Sequence, residues 1–142
     1  MIGYVHGVVR GIVRGTLIVG VHDIGYRLHT TATTLAGTHE GETLALWTHL
    51  AVRENAHDLF GFETKDELSW FEMLITVSGV GPRSALSILN SVDLSTLENA
   101  IGRNDPNALS GAFGIGKKTA EKVVLELREK VGASSGRGAH AI

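Results

Sequence analysis

The sequence predicts an α+β protein of two unlike parts, a β-rich first half and a helical second half. Three observations carry that expectation. Short runs of β-branched and aromatic residues fill residues 1 to 63, separated by glycine and polar breaks. Helical spacing of apolar residues takes over after Phe62. The helical part then repeats itself, with Gly79 recurring as Gly114, 35 residues on.

In chain order, segments 2–13, 16–21, 26–31, 43–52 and 59–62 read as strands, with breaks at Gly15, 23–25, 36–41 and 53–58. Five short strands in so little chain suggest a small closed barrel of the OB type, a small open sandwich being the alternative. Thr64-Lys65-Asp66-Glu67 fits a capping box that starts a helix with Leu68, Phe71, Leu74 and Ile75 on one face, ending before Gly79. Pro82 suits a first turn, so a second helix is expected from there to Asn90. Ser95-Thr96-Leu97-Glu98 reads as a second capping box, for a helix ended by Gly102. Asp105-Pro106 starts a fourth helix, ended by Gly111. The fifth runs from Lys117 to Val131 with Ala120, Val123, Val124, Leu127 and Val131 as its apolar stripe. The expected organisation is a barrel domain over 1–63, a five-helix domain over 64–131, and a Gly/Ser/Ala-rich linker remnant over 132–142.

Composition sets outer bounds. A chain of 142 residues, 43% hydrophobic and 20% charged, is ordinary for a folded protein. No apolar run reaches the ~18–20 residues of a membrane span, and the opening residues lack the basic-then-apolar order of a secretory leader. There is no cysteine, hence no disulfide and no thiolate metal site, in keeping with a cytoplasmic protein. The net charge of −2 does not announce a nucleic-acid binder. Local charge is more informative, since Lys117, Lys118 and Lys122 face only Glu121 between Gly114 and Val124. Charge alone favours a solvated helix face.

The repeat changes that balance. Leu74-x4-Gly79-Val80-Gly81-x-Arg83-x-Ala85 lines up with Leu109-x4-Gly114-Ile115-Gly116-x-Lys118-x-Ala120. Each copy is a helix, a Gly-apolar-Gly turn and a second helix, the helix-hairpin-helix pattern. Glycine permits positive φ and close approach of a ligand to the backbone. The amides that follow stand unpaired at a helix start, where the dipole favours an anion. Val80 or Ile115 can plug into the core, leaving Arg83, Lys117 and Lys118 where a phosphate would sit. A single Gly-x-Gly is more economically a mere turn between packed helices. Two copies in register, each followed by a cation, favour phosphate binding, with two hairpins gripping the two strands of a duplex without reading sequence. Gly111-x4-Gly116-Lys117 imitates a nucleotide-binding loop, but Lys118 stands where Ser or Thr must hold Mg²⁺, and no strand precedes it.

These hairpins, the barrel before them, the opening Met1-Ile2-Gly3, the stretch from Thr48-His49-Leu50-Ala51-Val52-Arg53-Glu54-Asn55 to Phe62, Ser78-Gly79-Val80-Gly81-Pro82 and Gly114-Ile115-Gly116-Lys117-Lys118-Thr119-Ala120-Glu121 together resemble the bacterial RuvA family, over about residues 1–131. The resemblance implies a non-catalytic protein that recognises Holliday junctions. It implies a homotetramer built through the barrel, or an octamer enclosing the DNA, holding a four-way junction open and square-planar. RuvB, the motor, and RuvC, the resolvase, are the implied partners, and no cofactor or membrane is implied. The DNA-binding groups carried over are the backbone amides at 79–81 and 114–116, with Arg83, Lys117 and Lys122; Lys118 joins them from the residue reading. Segment 53–58 resembles the family's central acidic pin, whose like charges repel phosphates at the crossover. Two departures stand out. Glu54 is followed by Asn55 where two adjacent acids are usual, leaving Asp58 as a substitute charge; and the family's third domain, which engages RuvB, is not expected in this chain.

Other candidates are weaker. Seven histidines show no metal-binding spacing. Tyr26, Trp47, Phe60 and Phe62 can stack bases on an OB face, but a barrel with four Arg/Lys against six Asp/Glu suits scaffold better. The remaining alternative is a helix-hairpin-helix module of a repair nuclease or glycosylase complex; for a glycosylase itself, 68 residues of helices leave little room for a catalytic pocket.

Overall fold

The barrel closes because its first strand serves two neighbours. In the computed structural model, which describes residues 1–110 and 115–135 (the side chains of 131–135 excepted), strand β1 spans Tyr4–Val13. Its first part pairs antiparallel with β4, Thr43–Arg53, and its second with β2, Thr16–Val21. The register shifts between Val9 and Gly11, an irregularity that bends one strand around a barrel corner. At Gly7 the two sides come so close that a Cβ would lie 2.2 Å from the Gly20 carbonyl oxygen. Strand β3, Ile24–His29, pairs with β2 and then runs parallel to β5, Ala56–Phe62, completing a closed barrel in the order β1-β2-β3-β5-β4. Alternate residues point inward, and Val5, Val9, Leu17, Val19, Leu28, Leu46 and Leu59 make the core.

Strand β3 starts at Ile24, inside the break expected at 23–25, and two further differences from the expectation stand out. Helix α1, Ala32–Gly37, occupies chain between the strand expected over 26–31 and the break expected over 36–41, and the start of that break; Thr31 caps it by accepting from the Thr34 N–H at 3.2 Å, and Leu35 packs on the barrel core. A six-residue, Thr-rich helix has no periodicity to detect, and burial rather than propensity holds it. The second difference is at 53–58, which is not a loop: Arg53 pairs with Ala56, so Glu54 and Asn55 alone form a two-residue turn.

Five helices follow among the described residues: α2 Lys65–Ile75, α3 Pro82–Ser91, α4 Leu94–Gly102, α5 Asn107–Ser110 and α6 Lys117–Ser135. At α2 the Thr64 hydroxyl accepts from the Glu67 N–H and donates to Glu67 Oε1, both at 3.1 Å, so the carboxylate answers the hydroxyl rather than a backbone donor. Phe71 and Leu74 are fully buried, as are Ala120, Val123, Val124 and Leu127 of α6. Helix α6 continues past Val131 through Gly132, because one glycine costs only ~1 kcal/mol in a helix and no proline stops it. Gly111, expected to end α5, and residues 136–142 of the expected linker lie outside the described residues. The chain divides into two compact units, Met1–Leu68 and Ser69–Ile142.

The cap of α4 corrects the second capping box. Asp93, not Ser95, is the N-cap: its Oδ1 accepts from the Thr96 N–H at 2.7 Å and from the Ser95 hydroxyl at 3.0 Å. An ionised carboxylate is the stronger acceptor and complements the helix dipole. Hydrogen bonds from Thr96, then from Ser95, hold the Asp93 pKa below its ordinary 3.8. A lowered folded-state pKa adds stability that is present above the unfolded value and lost as pH falls through the folded one. Asp93→Ala is therefore expected to lower the thermal midpoint at neutral pH, more than Ser95→Ala does, with the deficit shrinking below pH 3.8.

Candidate nucleic-acid interface

The first glycine turn is built by two buried valines with an exposed backbone between and after them. Val77 and Val80 are 2% and 5% exposed, and the Val80 N–H donates to the Val77 carbonyl at 3.0 Å, closing the turn. Gly79 lies at its apex with φ +87°, a conformation that L side chains rarely adopt. Gly81 then serves as the N-cap of α3 without a side-chain cap, and Pro82 opens the helix, so Ala85 N–H meets the Gly81 carbonyl at 2.9 Å. The Val80 amide is thus already engaged. The donors left over are those of Gly81, Arg83 and Ser84, which have no carbonyl within the helix to meet.

The second turn repeats the arrangement as far as it is described. Ile115 is 8% exposed, the counterpart of Val80, and the Ala120 N–H meets the Gly116 carbonyl at 3.0 Å, as Ala85 does Gly81. Gly114 lies outside the described residues. Gly116 has no side chain with which to cap α6, so the first-turn amides of Lys117, Lys118 and Thr119 are left over in the same way. Arg83, Lys117, Lys118 and Lys122 are all exposed or partly so, Arg83 at the start of α3 and the lysines on α6. The contrast within the chain is telling: Thr31, Thr64 and Asp93 satisfy the starts of other helices, whereas glycine holds the cap position before α3 and α6.

The two motifs share a cleft. A hollow of about 250 Å³ is lined by Gly79, Arg83, Ser84 and Ser87 of the first motif and by Ile115 and Thr119 of the second, with Ile88 among them. Sequence reading missed its hydroxyls. The signal was there, because the 35-residue offset that aligns Gly81 with Gly116 also aligns Ser84 with Thr119. Both are third residues of their helices, and both face the same cleft.

In the other unit, the barrel hairpin presents Glu54 and Asn55, both exposed, at its tip. Asp58 does not add to that charge. Its Oδ2 pairs with Arg53 Nη2 at 2.7 Å across the hairpin, and its Oδ1 lies 3.8 Å from His29 Nε2. The aromatic candidates are occupied as well. Phe60 and Phe62 are buried, Phe60 stacking on His29 with ring centroids 5.1 Å apart. Trp47 meets Tyr4 at 4.9 Å and carries Lys65 Nζ 4.7 Å from its ring centre, and Tyr26 packs on the barrel core.

A closed OB-type barrel followed by a tandem of helix-hairpin-helix turns defines the class, a two-part protein of barrel and paired hairpins. Residues 1–61 match the family described as RuvA N terminal domain, and residues 71–129 the SAM-like helix-hairpin-helix tandem. The chain is 41% identical to the Holliday junction branch migration complex subunit RuvA of Aromatoleum aromaticum, an alignment covering all of this chain and 72% of that one. Against the proteins of the same description from Bordetella petrii and a Thermoanaerobacter species the identity is 43% and 42%, over 100% and 92% of this chain and 75% and 71% of theirs. The chain belongs to the RuvA family.

The geometry of Gly79 gives a direct expectation. A Cβ there meets nothing within 4 Å, so Gly79→Ala carries only the conformational cost of the left-handed backbone, about 1–2 kcal/mol. A denaturant titration should show that loss, and Gly79→Asn should recover part of it, because Asn tolerates this region better.

Proposed function

We propose that this chain is the non-catalytic junction-recognition subunit of a Holliday junction branch-migration complex, acting in recombination and repair. One observation carries the reading most of the way: two helix starts, in register at 35 residues, leave exposed main-chain donors beside cations. Each is suited to a phosphodiester oxygen, through the donors, the helix dipole and the adjacent Arg83 or Lys117, Lys118 and Lys122. A pair of such sites grips both strands of a duplex arm and reads no sequence. That suits a ligand defined by its branching rather than its bases. The names of the relatives, subunits of a Holliday junction branch migration complex, support the same ligand and a RuvB motor as partner.

Selectivity for the open junction follows if four copies assemble through the barrel. Four Glu54 carboxylates would then crowd the crossover and repel a continuous duplex. The pairing of Asp58 with Arg53 leaves Glu54 as the charge of the tip, so the pin has one acid per subunit. ATP hydrolysis in this scheme belongs to RuvB, and action on chromosomal DNA implies the cytoplasm as compartment. Among the described residues no helix is long and apolar enough to cross a membrane.

The test is Lys117→Ala combined with Lys122→Ala, titrated against a synthetic four-way junction at several salt concentrations. Binding should weaken evenly across junction sequences, and the log–log salt slope should fall by ~0.9 for each phosphate no longer neutralised. An affinity equal to that of the parent protein would refute the assignment.

A further inference from the structure

The helix that opens at the second glycine turn also reaches back to the first. Glu126 and Lys130 stand one turn apart on α6 and so share a face. Both touch residues 76–78, the segment that leads from α2 into the first turn. The Ser78 N–H donates to Glu126 Oε2 at 3.3 Å. Lys130 Nζ donates to Thr76 Oγ1, whose own proton goes to the Met73 carbonyl at 2.6 Å. The backbone bonds of this segment are otherwise local, Thr76 to Met73, Val77 to Leu74 and Val80 to Val77.

The position of Glu126 is odd for a DNA-binding surface. Its carboxylate lies on a main-chain donor one residue before Gly79, where a negative charge repels a phosphate arriving at the turn. A residue that opposes the ligand electrostatically, yet holds the loop that binds it, is better explained by what it holds. Two phosphate sites on one duplex act together only if their separation matches the DNA; when geometry forbids simultaneous engagement, the gain from the second site disappears.

We infer that Glu126 is a positioning residue for DNA binding. With Lys130 it ties the first glycine turn to the helix that carries the second, and so sets the spacing of the two phosphate sites. This rests on the reading of both turns as phosphate sites.

Charge and positioning predict opposite signs, which makes the inference testable. Removal of a negative charge alone tightens DNA binding; removal of the tie loosens it. Glu126→Ala and Glu126→Gln in the full chain are titrated against a synthetic four-way junction over a range of salt, with Lys117→Ala/Lys122→Ala in parallel. Glu126→Ala should bind several-fold more weakly, with a log–log slope smaller by ~0.9 for each phosphate that the displaced turn fails to reach. Glu126→Gln, which keeps an acceptor for Ser78 and removes the charge, should bind at least as tightly as the parent. Hydrogen exchange at the Ser78 amide should quicken in the Ala variant and remain slow in the Gln variant, a readout independent of DNA. Equal or tighter binding by Glu126→Ala, or no rescue by Glu126→Gln, overturns the inference. If Glu126→Ala fails in this way while the lysine variant weakens binding, the phosphate reading stands and only the tie falls; if neither weakens it, the phosphate reading falls too.

Discussion

The first turn of any helix carries main-chain N–H groups that its own carbonyls cannot reach, and the character of this surface depends on what is done with them. Here three of the six described helix starts are closed by a side chain: Thr31 for α1, Thr64 for α2, Asp93 for α4. Before α3 and α6 the cap position holds glycine, with Arg83 or Lys117 and Lys118 alongside. Glycine in place of a capping side chain costs some helix stability, about a few tenths of a kcal/mol for each helix. A protein that caps α1, α2 and α4 with side chains and leaves α3 and α6 open, in matching positions, has donors to offer an anion. The buried Val80 and Ile115 make the offer rigid, since each pins its turn to the core while Gly79, Gly81 and Gly116 are exposed.

In the proposed scheme the barrel contributes shape rather than binding chemistry. Its closure rests on β1 bending between two partners and on the close pass of Gly7 by Gly20. Closure in turn lets β4 and β5 run on as a hairpin with only Glu54 and Asn55 in its turn. The Arg53–Asp58 pair then removes one acid from the charge at the tip. In a fourfold assembly the repulsion at the crossover would therefore be set by a single carboxylate per subunit.

Much of this was legible in the sequence, for identifiable reasons. Strands β1, β2 and β4 showed because β-branched runs between turn residues have few other readings, and α3 showed because Pro82 and the apolar spacing agree. The 35-residue repeat exposed both turns, since a duplicated pattern is far more informative than one copy. What was hidden depended on tertiary packing. Helix α1 exists because Leu35 has a barrel to cover. Asp93 outcompeted Ser95 for the role of cap because a carboxylate accepts more strongly, a contest that a motif does not display. The involvement of the Val80 amide, the pairing of Asp58 and the reach of Glu126 to Ser78 all join groups whose proximity only the folded chain creates.

The central claim is that the main-chain donors at the two helix starts receive phosphodiester oxygens. It is tested most directly by following backbone amide resonances while a four-way junction is added to the isotope-labelled protein. The account predicts large, coupled shifts for Gly81, Arg83 and Ser84 together with Gly116, Lys117, Lys118 and Thr119, and little change at Val80, whose N–H already meets the Val77 carbonyl. Shifts confined to lysine side chains, with both sets of amides unmoved, would contradict it.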